Sequence, residues 1–588
     1  MRLGLEHMKA RRFSDAARMF EQILAQRPND PDSLHLLGMA LHEQGQSEEA
    51  VESIRKAIAQ HDAAPDYHAS LGTVLLKLGR NGEAATSLRR AVELGGGQQA
   101  AYRNLGTALI RIGEITEAGA ALSLAVALDA DDPEAHFALG FVHARQQAME
   151  KAITCYRRTL ELAPNHVGAL NNIATLLQTL DQSAEAIVHL QKLVQLQPKS
   201  AMAFYNLGRG LEALGESDLA LKAYDYAVVL RPEFAQAHNN TGTLLQRLRR
   251  MPEAVERFDK AIAADPNYAN ARFNRSVSLL TQGRFRDGWE GYEARFQVRE
   301  LRRLVAPRPF RQPRWEGQPL DGETILIWGE QGIGDEIMLA SMIPDLQALG
   351  AAVVVECDPR LVRLFSRSFP GIEVAGRADP SEAPTTDPAI TYQCAMGSLG
   401  RWLRDDLGRF PAHRGYLPAD PARIEAAGLR YAELGPGLKI GIAWRTGSHD
   451  PRGRSVTLEE LEPVLQRQNA HFVTLQYGDV GNELHELAER TLVRVHRDPT
   501  IDPTRDLDGV AAQVAALDLV ISTTNAVAHF AGALGTPSLT FVPYAPDWCW
   551  LASGARMPWY PTMRLVRQTK AGDWSTAVSG VADALDGF

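Results

Sequence analysis

The chain has 588 residues, 45% hydrophobic and 23% charged, with a formal charge of −9 and a pI near 6.0. At about 150 residues per domain, that length predicts several folded units, and the acidic balance argues against a general nucleic-acid binder. The four cysteines (Cys155, Cys357, Cys394 and Cys549) form no CxxC pair. This spacing argues against a disulfide framework or a zinc site and fits a reducing cytoplasm. No apolar run reaches the roughly 18 residues of a membrane-spanning helix, and the start, MRLGLEHMKARRF, lacks the apolar core of a secretory signal.

Composition divides the chain. All nine tryptophans lie at or after Trp289, and the first half is rich in Ala and Leu. Within it, small residues recur every 34 positions: Gly4, Gly38, Gly72, Gly106, Gly140, Ala174, Gly208, Gly242 and Ser276. Twelve residues later runs a second small series, Ala16, Ala50, Ala84, Ala118, Ala152, Ala186, Ala220 and Ala254, ending in Gly288. Four residues beyond stands a bulky series: Phe20, Ile54, Leu88, Leu122, Tyr156, Leu190, Tyr224, Phe258 and Tyr292. Pro28, Pro164, Pro198, Pro232 and Pro266 close several units at one phase.

Thirty-four residues hold two helices and two turns. The two small series are expected to meet, so that paired axes approach closely. The bulky residue is expected to wedge against the next pair, and proline to stop the second helix. One pair cannot bury its apolar face alone, so units stack. The pattern resembles the tetratricopeptide repeat and predicts an α-solenoid over 1–297, with a short first helix.

Two residues before the small series stand Asn104, Asn172, Asn206, Asn240 and Asn274. A ladder of amides offers a donor and an acceptor per unit, which suits an extended peptide backbone. The ladder resembles that of the O-GlcNAc transferase superhelix, which implies a protein partner. The other reading is local packing.

Residues 298–320, VRELRRLVAPRPFRQPRWEGQPL, carry six arginines and four prolines and are read as a connector with a solvated basic surface. Beyond it, TILIWGEQGIGDEIMLASMIPDLQALG is a strand, a Gly-rich turn and a helix, followed by the strand AAVVVECDP. A second α/β cycle runs through LKIGIAWRTGS, HFVTLQYGD, LDLVISTTN, the helix AVAHFAGALG and PSLTFVP. Two doubly wound lobes are therefore expected, about 321–430 and 436–588, with ligands outside the carboxyl ends of the strands. The turn GEQGIGDE has no GK[ST] and is a poor dinucleotide fingerprint.

The second half resembles the heptosyltransferase-like glycosyltransferases, a family (family 9) of the two-lobed GT-B class. The matching segments are Gly334-Asp335 with Pro344 and Leu346, then GIAWRTGSHDPRGRS, ALDLVISTTNAVAHFAGALGTPSLTFVP and APDWCWL. The first lobe is shorter than in the lipopolysaccharide enzymes. The resemblance implies that Asp335 is the base for an acceptor hydroxyl. The alternative is that Asp335 caps a helix starting after it. It also implies a phosphate site of Thr524, Asn525 and the backbone of Ala526 at a helix N-terminus. The family has an Asp-Thr pair there, so the donor's identity is open. Arg445, Arg452 and Arg454 would hold the leaving phosphate, or else form surface ion pairs. His529 would touch phosphate or sugar, or else pack, and Asp547-Trp548 would contact the donor.

Repeats joined to such a domain resemble the bacterial flagellin-modifying glycosyltransferases. That resemblance implies a nucleotide-sugar donor as substrate, carried for instance on CMP, no metal or cofactor, and Ser/Thr of a recruited protein such as flagellin as acceptor. Two other readings stay open: an inactive adaptor, and an envelope polysaccharide or lipopolysaccharide transferase.

Overall fold

The computed structural model describes residues 1–96, 98–302, 304–305, 308, 310–377, 388–447, 453–491 and 493–585. These form two compact units, 1–232 and 233–588. The sequence alone places a boundary near 297, because the repeat pattern continues to there. Residues 233–297 nevertheless belong to the same compact unit as the sheets, and Phe285, Trp289 and Tyr292 of the last helical pair are buried in its core.

Helices fill the chain from Arg2–Lys9, an eight-residue first helix, to Phe285–Tyr292. Second helices of the pairs end at Gln26, Leu162, Leu196, Leu230 and Ala264, each two residues before a phased proline. Several first helices start at proline behind an aspartate cap: Asp30 accepts from the Ser33 amide and Asp132 from those of Glu134 and Ala135.

The packing adds one contact to the expectation. The bulky residue also fills the space beside the glycine of its own pair. A Cβ on Gly38 would stand 2.5 Å from Ile54 Cγ1 and 3.0 Å from the Ala50 carbonyl, and one on Gly140 2.7 Å from Tyr156 Cε1. Glycine therefore leaves room for a large side chain where two axes approach, and both Ala50 and Ile54 are fully buried.

A second period escapes residue-type reading. The turn inside each pair needs one left-handed residue, and positive φ recurs at Arg11, Gly45, Gly79, Gly113, Gln147, Asp181, Gly215, Arg249 and Gly283. Four of these nine are not glycine and carry the steric cost of that conformation.

The strands are β1 (Thr324–Trp328), β2 (Ala352–Cys357), β3 (Glu373–Gly376), β4 (Tyr392–Ala395), β5 (Leu438–Ala443), β6 (Ala470–Thr474), β7 (Val495–His496), β8 (Leu519–Thr523), β9 (Ser538–Val542), β10 (Arg556–Met557) and β11 (Tyr560–Arg567). They build a parallel sheet in the order β3-β2-β1-β4 and a seven-stranded sheet in the order β10-β11-β9-β8-β5-β6-β7. In the second, all pairs are parallel except β10–β11. Numbered from β5 and leaving out β10, its order is the 3-2-1-4-5-6 of doubly wound sheets. Chain order reverses between β5 and β8 in one sheet and between β1 and β4 in the other. β1, β5 and β8 are largely apolar runs, as expected of strands buried on both faces of a parallel sheet.

Two of the connector's arginines are not solvated. Arg308 pairs with Glu356, which is fully buried, and Arg314 with the half-buried Glu293. Among the described residues, no helix is long and apolar enough to cross a membrane.

Gly140→Val is expected to lower the stability of the repeats by about 1–3 kcal/mol through overpacking against Tyr156. Gln147→Gly is expected to raise it by about 1 kcal/mol by relieving the left-handed backbone. Chemical denaturation of both variants checks these opposite signs.

Candidate functional site

The sequence-predicted residues gather at the carboxyl ends of both sheets. β1 ends at Trp328, and the turn Gly329–Gly332 leads into a helix, Ile333–Leu339. Asp335 lies in that helix's first turn, not before it, and its Oδ2 accepts the Gly332 amide at 3.1 Å. The capping alternative is thus corrected in place: Asp335 reaches back to close a helix that has already begun. Burial lifts its carboxyl to about 6, assisted by the negative charges of Asp547 and Glu330, while the Gly332 bond opposes the rise. A carboxyl at that value is mostly ionised at neutral pH and a stronger base than an exposed aspartate.

Across the second sheet's reversal, the loop after β5 carries Arg445 and the loop after β8 carries Thr524 and Asn525. Asn525 is the N-cap of the helix Ala526–Leu534: its Oδ1 accepts from the amides of Val527 (2.9 Å) and Ala528 (3.4 Å) and from Ser522 Oγ (2.9 Å). Its Nδ2 donates to the Arg445 carbonyl at 3.3 Å, tying the two loops together. The side chain is thus engaged within the protein, as the cap of its helix and a tie to the loop after β5. What remains for an anion is the Ala526 amide and Thr524. Thr524 is 7% exposed, and its buried Oγ1 has no hydrogen-bond partner. Arg445 Nε and Thr446 Oγ1, also buried, share that state. Leaving a buried donor unsatisfied costs about 1–3 kcal/mol, so three such groups on two joined loops favour a polar ligand.

Arg445 is otherwise engaged, donating to the Asp479 carbonyl (2.8 Å) and pairing with Glu483 (3.1 Å). Arg454 pairs with Asp547 at 3.1 Å, which brings the loop after β9 to the site. Arg452 lies outside the described residues. His529 is buried, meets Tyr560 Oη at 3.0 Å and packs on Trp550 at 5.1 Å between centroids. Burial pushes its imidazole down to about 4, so it is neutral at physiological pH and offers no charge to a phosphate. It packs where Gly334 leaves room: a Cβ there would stand 2.7 Å from His529 Cδ2. Gly334 thereby lets the Asp335 helix and the Ala526–Leu534 helix approach closely. Among the described residues no three His, Cys, Asp or Glu side chains assemble to hold a metal.

Sequence reasoning missed Glu330, Arg295 and Gln476. Gln476 Oε1 accepts the amides of Trp444 (3.0 Å) and Arg445 (2.9 Å), fixing the loop after β5. The available signal for Glu330 was an acid at the end of an apolar strand. A depression lined by Tyr431, Lys439 and Asp518 lies at the amino ends of β5 and β8, opposite the predicted site. In a parallel sheet ligands bind at the opposite, carboxyl end of the strands.

The asparagines lie partly exposed on first helices of their pairs. Asn104 Nδ2 donates to Thr73 Oγ1 (3.0 Å), Asn206 Nδ2 to Asn171 Oδ1 (3.0 Å), and Asn274 Nδ2 to Asn239 Oδ1 (3.1 Å), each one unit back. Asn172 Nδ2 donates to Tyr156 Oη at 3.3 Å, and Asn240 Oδ1 accepts from Asn239 Nδ2 at 3.3 Å. The amide donors of Asn104, Asn206 and Asn274 thus stitch neighbouring units.

Comparison with known proteins identifies the repeats. Tetratricopeptide-repeat models match residues 1–68, 70–133, 133–166, 171–238, 205–269 and 239–287. Protein FlbA of Caulobacter vibrioides is 38% identical over 330 residues, 53% of this chain and 54% of its own length. The chain thus matches about half the length of that curated relative. Among solved structures, MamA residues 41–end from Desulfovibrio magneticus RS-1 is 26% identical, covering 29% of this chain and 96% of its own, with a TM-score of 0.28. YrrB, described as a TPR protein with an unusual peptide-binding site, is 24% identical, covering 32% of this chain and 96% of its own, with a TM-score of 0.30.

Asp335→Asn gives a signed test of the site's electrostatics. Because the folded-state carboxyl titrates near 6 against an ordinary value of 3.8, its protonated form is the one the fold favours. Wild-type stability should fall relative to the variant as pH rises from about 4 to about 6, by about 1–3 kcal/mol, and level off above. Denaturant melts from pH 4 to 7.5 measure the gap. The amino-terminal part of this chain is a run of tetratricopeptide repeats, and a region built on two parallel-stranded sheets follows it.

Proposed function

We propose that the protein is a glycosyltransferase acting on proteins: the repeats recruit a polypeptide, and the sheet region transfers a sugar from a nucleotide-sugar donor to a Ser or Thr hydroxyl. Flagellin is the first acceptor to test, by resemblance to the flagellin-modifying enzymes. The observation that carries this reading is the meeting, at the strands' carboxyl ends, of a carboxylate raised to about 6 with loops whose buried polar groups lack partners.

The chemistry follows from those groups. Asp335 accepts the acceptor hydroxyl's proton as its oxygen forms the bond to the anomeric carbon. The bond from that carbon to the donor phosphate breaks, and its electron pair leaves with the nucleotide. Thr524 Oγ1, the Ala526 amide at the positive end of its helix and Arg454 stabilise the departing phosphate. Asn carbonyl oxygens on successive repeats accept from the backbone amides of the bound polypeptide.

A second reading, an inactive adaptor, draws on Asn525, which is consumed as a cap where the resembled family has an Asp-Thr pair. Thermal unfolding with CMP, UDP, GDP and ADP separates the two, since a transferase is stabilised by at least one and an adaptor by none. Intact-mass analysis of co-expressed flagellin should show added glycosyl mass. Asp335→Asn should cut transfer by about 10²–10⁴-fold with acceptor binding retained; normal turnover in that variant would exclude Asp335 as the base.

A further inference from the structure

The last helical pair and the short 3₁₀ turn after it, Glu293–Gln297, reach the turn after β1 and the loop after β9. Arg295 and Glu330, each 1% exposed, form a two-pronged ion pair: Nε to Oε2 at 2.9 Å and Nη2 to Oε1 at 2.7 Å. The Gly397 amide at the end of β4 also donates to Glu330 Oε1, at 2.9 Å. A Cβ on Gly397 would stand 2.5 Å from that oxygen, so glycine permits the approach. The pair therefore plugs the first sheet's reversal point, where a ligand would otherwise be expected. Arg295 Nη2 further donates to Ser398 Oγ at 2.8 Å.

The neighbouring residue grips the same turn. Gln331 Nε2 donates to Tyr292 Oη at 2.8 Å, and Gln331 has φ of +65°, a conformation that must be held from outside. On the other side, the rings of Trp289 and Tyr292 pack edge-on against Trp548, at 5.2 and 5.8 Å between centroids. Trp548 directly follows Asp547, the partner of Arg454.

The geometry points to Arg295 and Glu330 as the positioning pair of the Asp335 turn, which makes the last repeat a working part of the site rather than a tether. This rests on the reading of Asp335 as the base. Asp335 feels Glu330 on its own turn and Asp547 on the loop after β9, and it acts in turn on Tyr292, Cys549 and Tyr560. His529 beside it is neutral at physiological pH. Glu330 thus both anchors the turn and biases the carboxyl.

The test uses the full chain and needs no known substrate. In Arg295→Met, hydrogen exchange across residues 329–336 should quicken by roughly ten-fold or more while the Ala526–Leu534 helix keeps its protection. The double variant Arg295→Met/Glu330→Met should recover much of that protection, because an apolar pair replaces the buried ions. Should Arg295→Met fail to fold, Tyr292→Phe removes only the Gln331 bond and should loosen residues 330–332. In Glu330→Gln, the pH midpoint of carbodiimide labelling at Asp335 should fall, since a repelling charge is gone. Wild-type exchange at 329–336 in a folded Arg295→Met variant, or an unmoved midpoint in Glu330→Gln, would overturn the assignment. Absence of any sugar transfer would refute the enzymatic reading and leave these readouts valid.

Discussion

A guanidinium and a carboxylate, both withdrawn from water, meet where the helical repeats give way to the sheets. Removing either partner would strand a buried charge, which is why Arg295 and Glu330 constrain everything around them. Glu330 sits between β1 and the Asp335 helix, so the ion pair ties that turn to the last helical pair. Arg295 lies one turn beyond Tyr292, and together with Trp289 these residues hold the last helical pair against the sheets. The repeat pattern is continuous through this point, but its outer face is no longer solvent-facing: it is core.

The two sheets use one device differently. Each reverses its strand order beside its first strand, leaving a gap between diverging loops. In the four-stranded sheet the gap is filled by protein, with Glu330 held by Arg295 and the Gly397 amide. In the seven-stranded sheet the loops are joined by the Asn525–Arg445 bond, and Thr524, Arg445 and Thr446 are left with unsatisfied buried atoms. Satisfied polar groups make a rigid support, and unsatisfied ones make a place for a ligand. The Asp335 helix and the helix that follows Thr524 lie close together, because Gly334 leaves room for His529.

Charge around Asp335 follows the same logic. Burial and two nearby carboxylates raise it, while Arg454 is engaged by Asp547. The neutral His529 adds no competing charge, so the carboxyl's basicity is set by desolvation and by Glu330 and Asp547. The same burial raises Glu336, the next residue, to about 7, although Arg377 and the Asp358 amide partner it.

Residue types at fixed spacing determined the helical half, because a period of 34 carries both the small–bulky contact and the proline stop in every unit. Alternation of apolar strands with helices likewise announced the parallel sheets. Sequence could not tell that the bulky side chain also fills the space beside its own pair's glycine, since that depends on helix crossing, nor that Gln147, Asp181 and Arg249 adopt the glycine-like turn. Motif resemblance singled out Asp335, Arg454, Thr524 and Asn525, but not that Asn525 caps its helix, since those bonds exist only once the helix forms. Arg295 and Glu330 are 35 residues apart in sequence and touch only because β1 and the last helical pair pack together. That pairing was decided by the tertiary structure, for burying two opposite charges is favourable only when the fold supplies both at once.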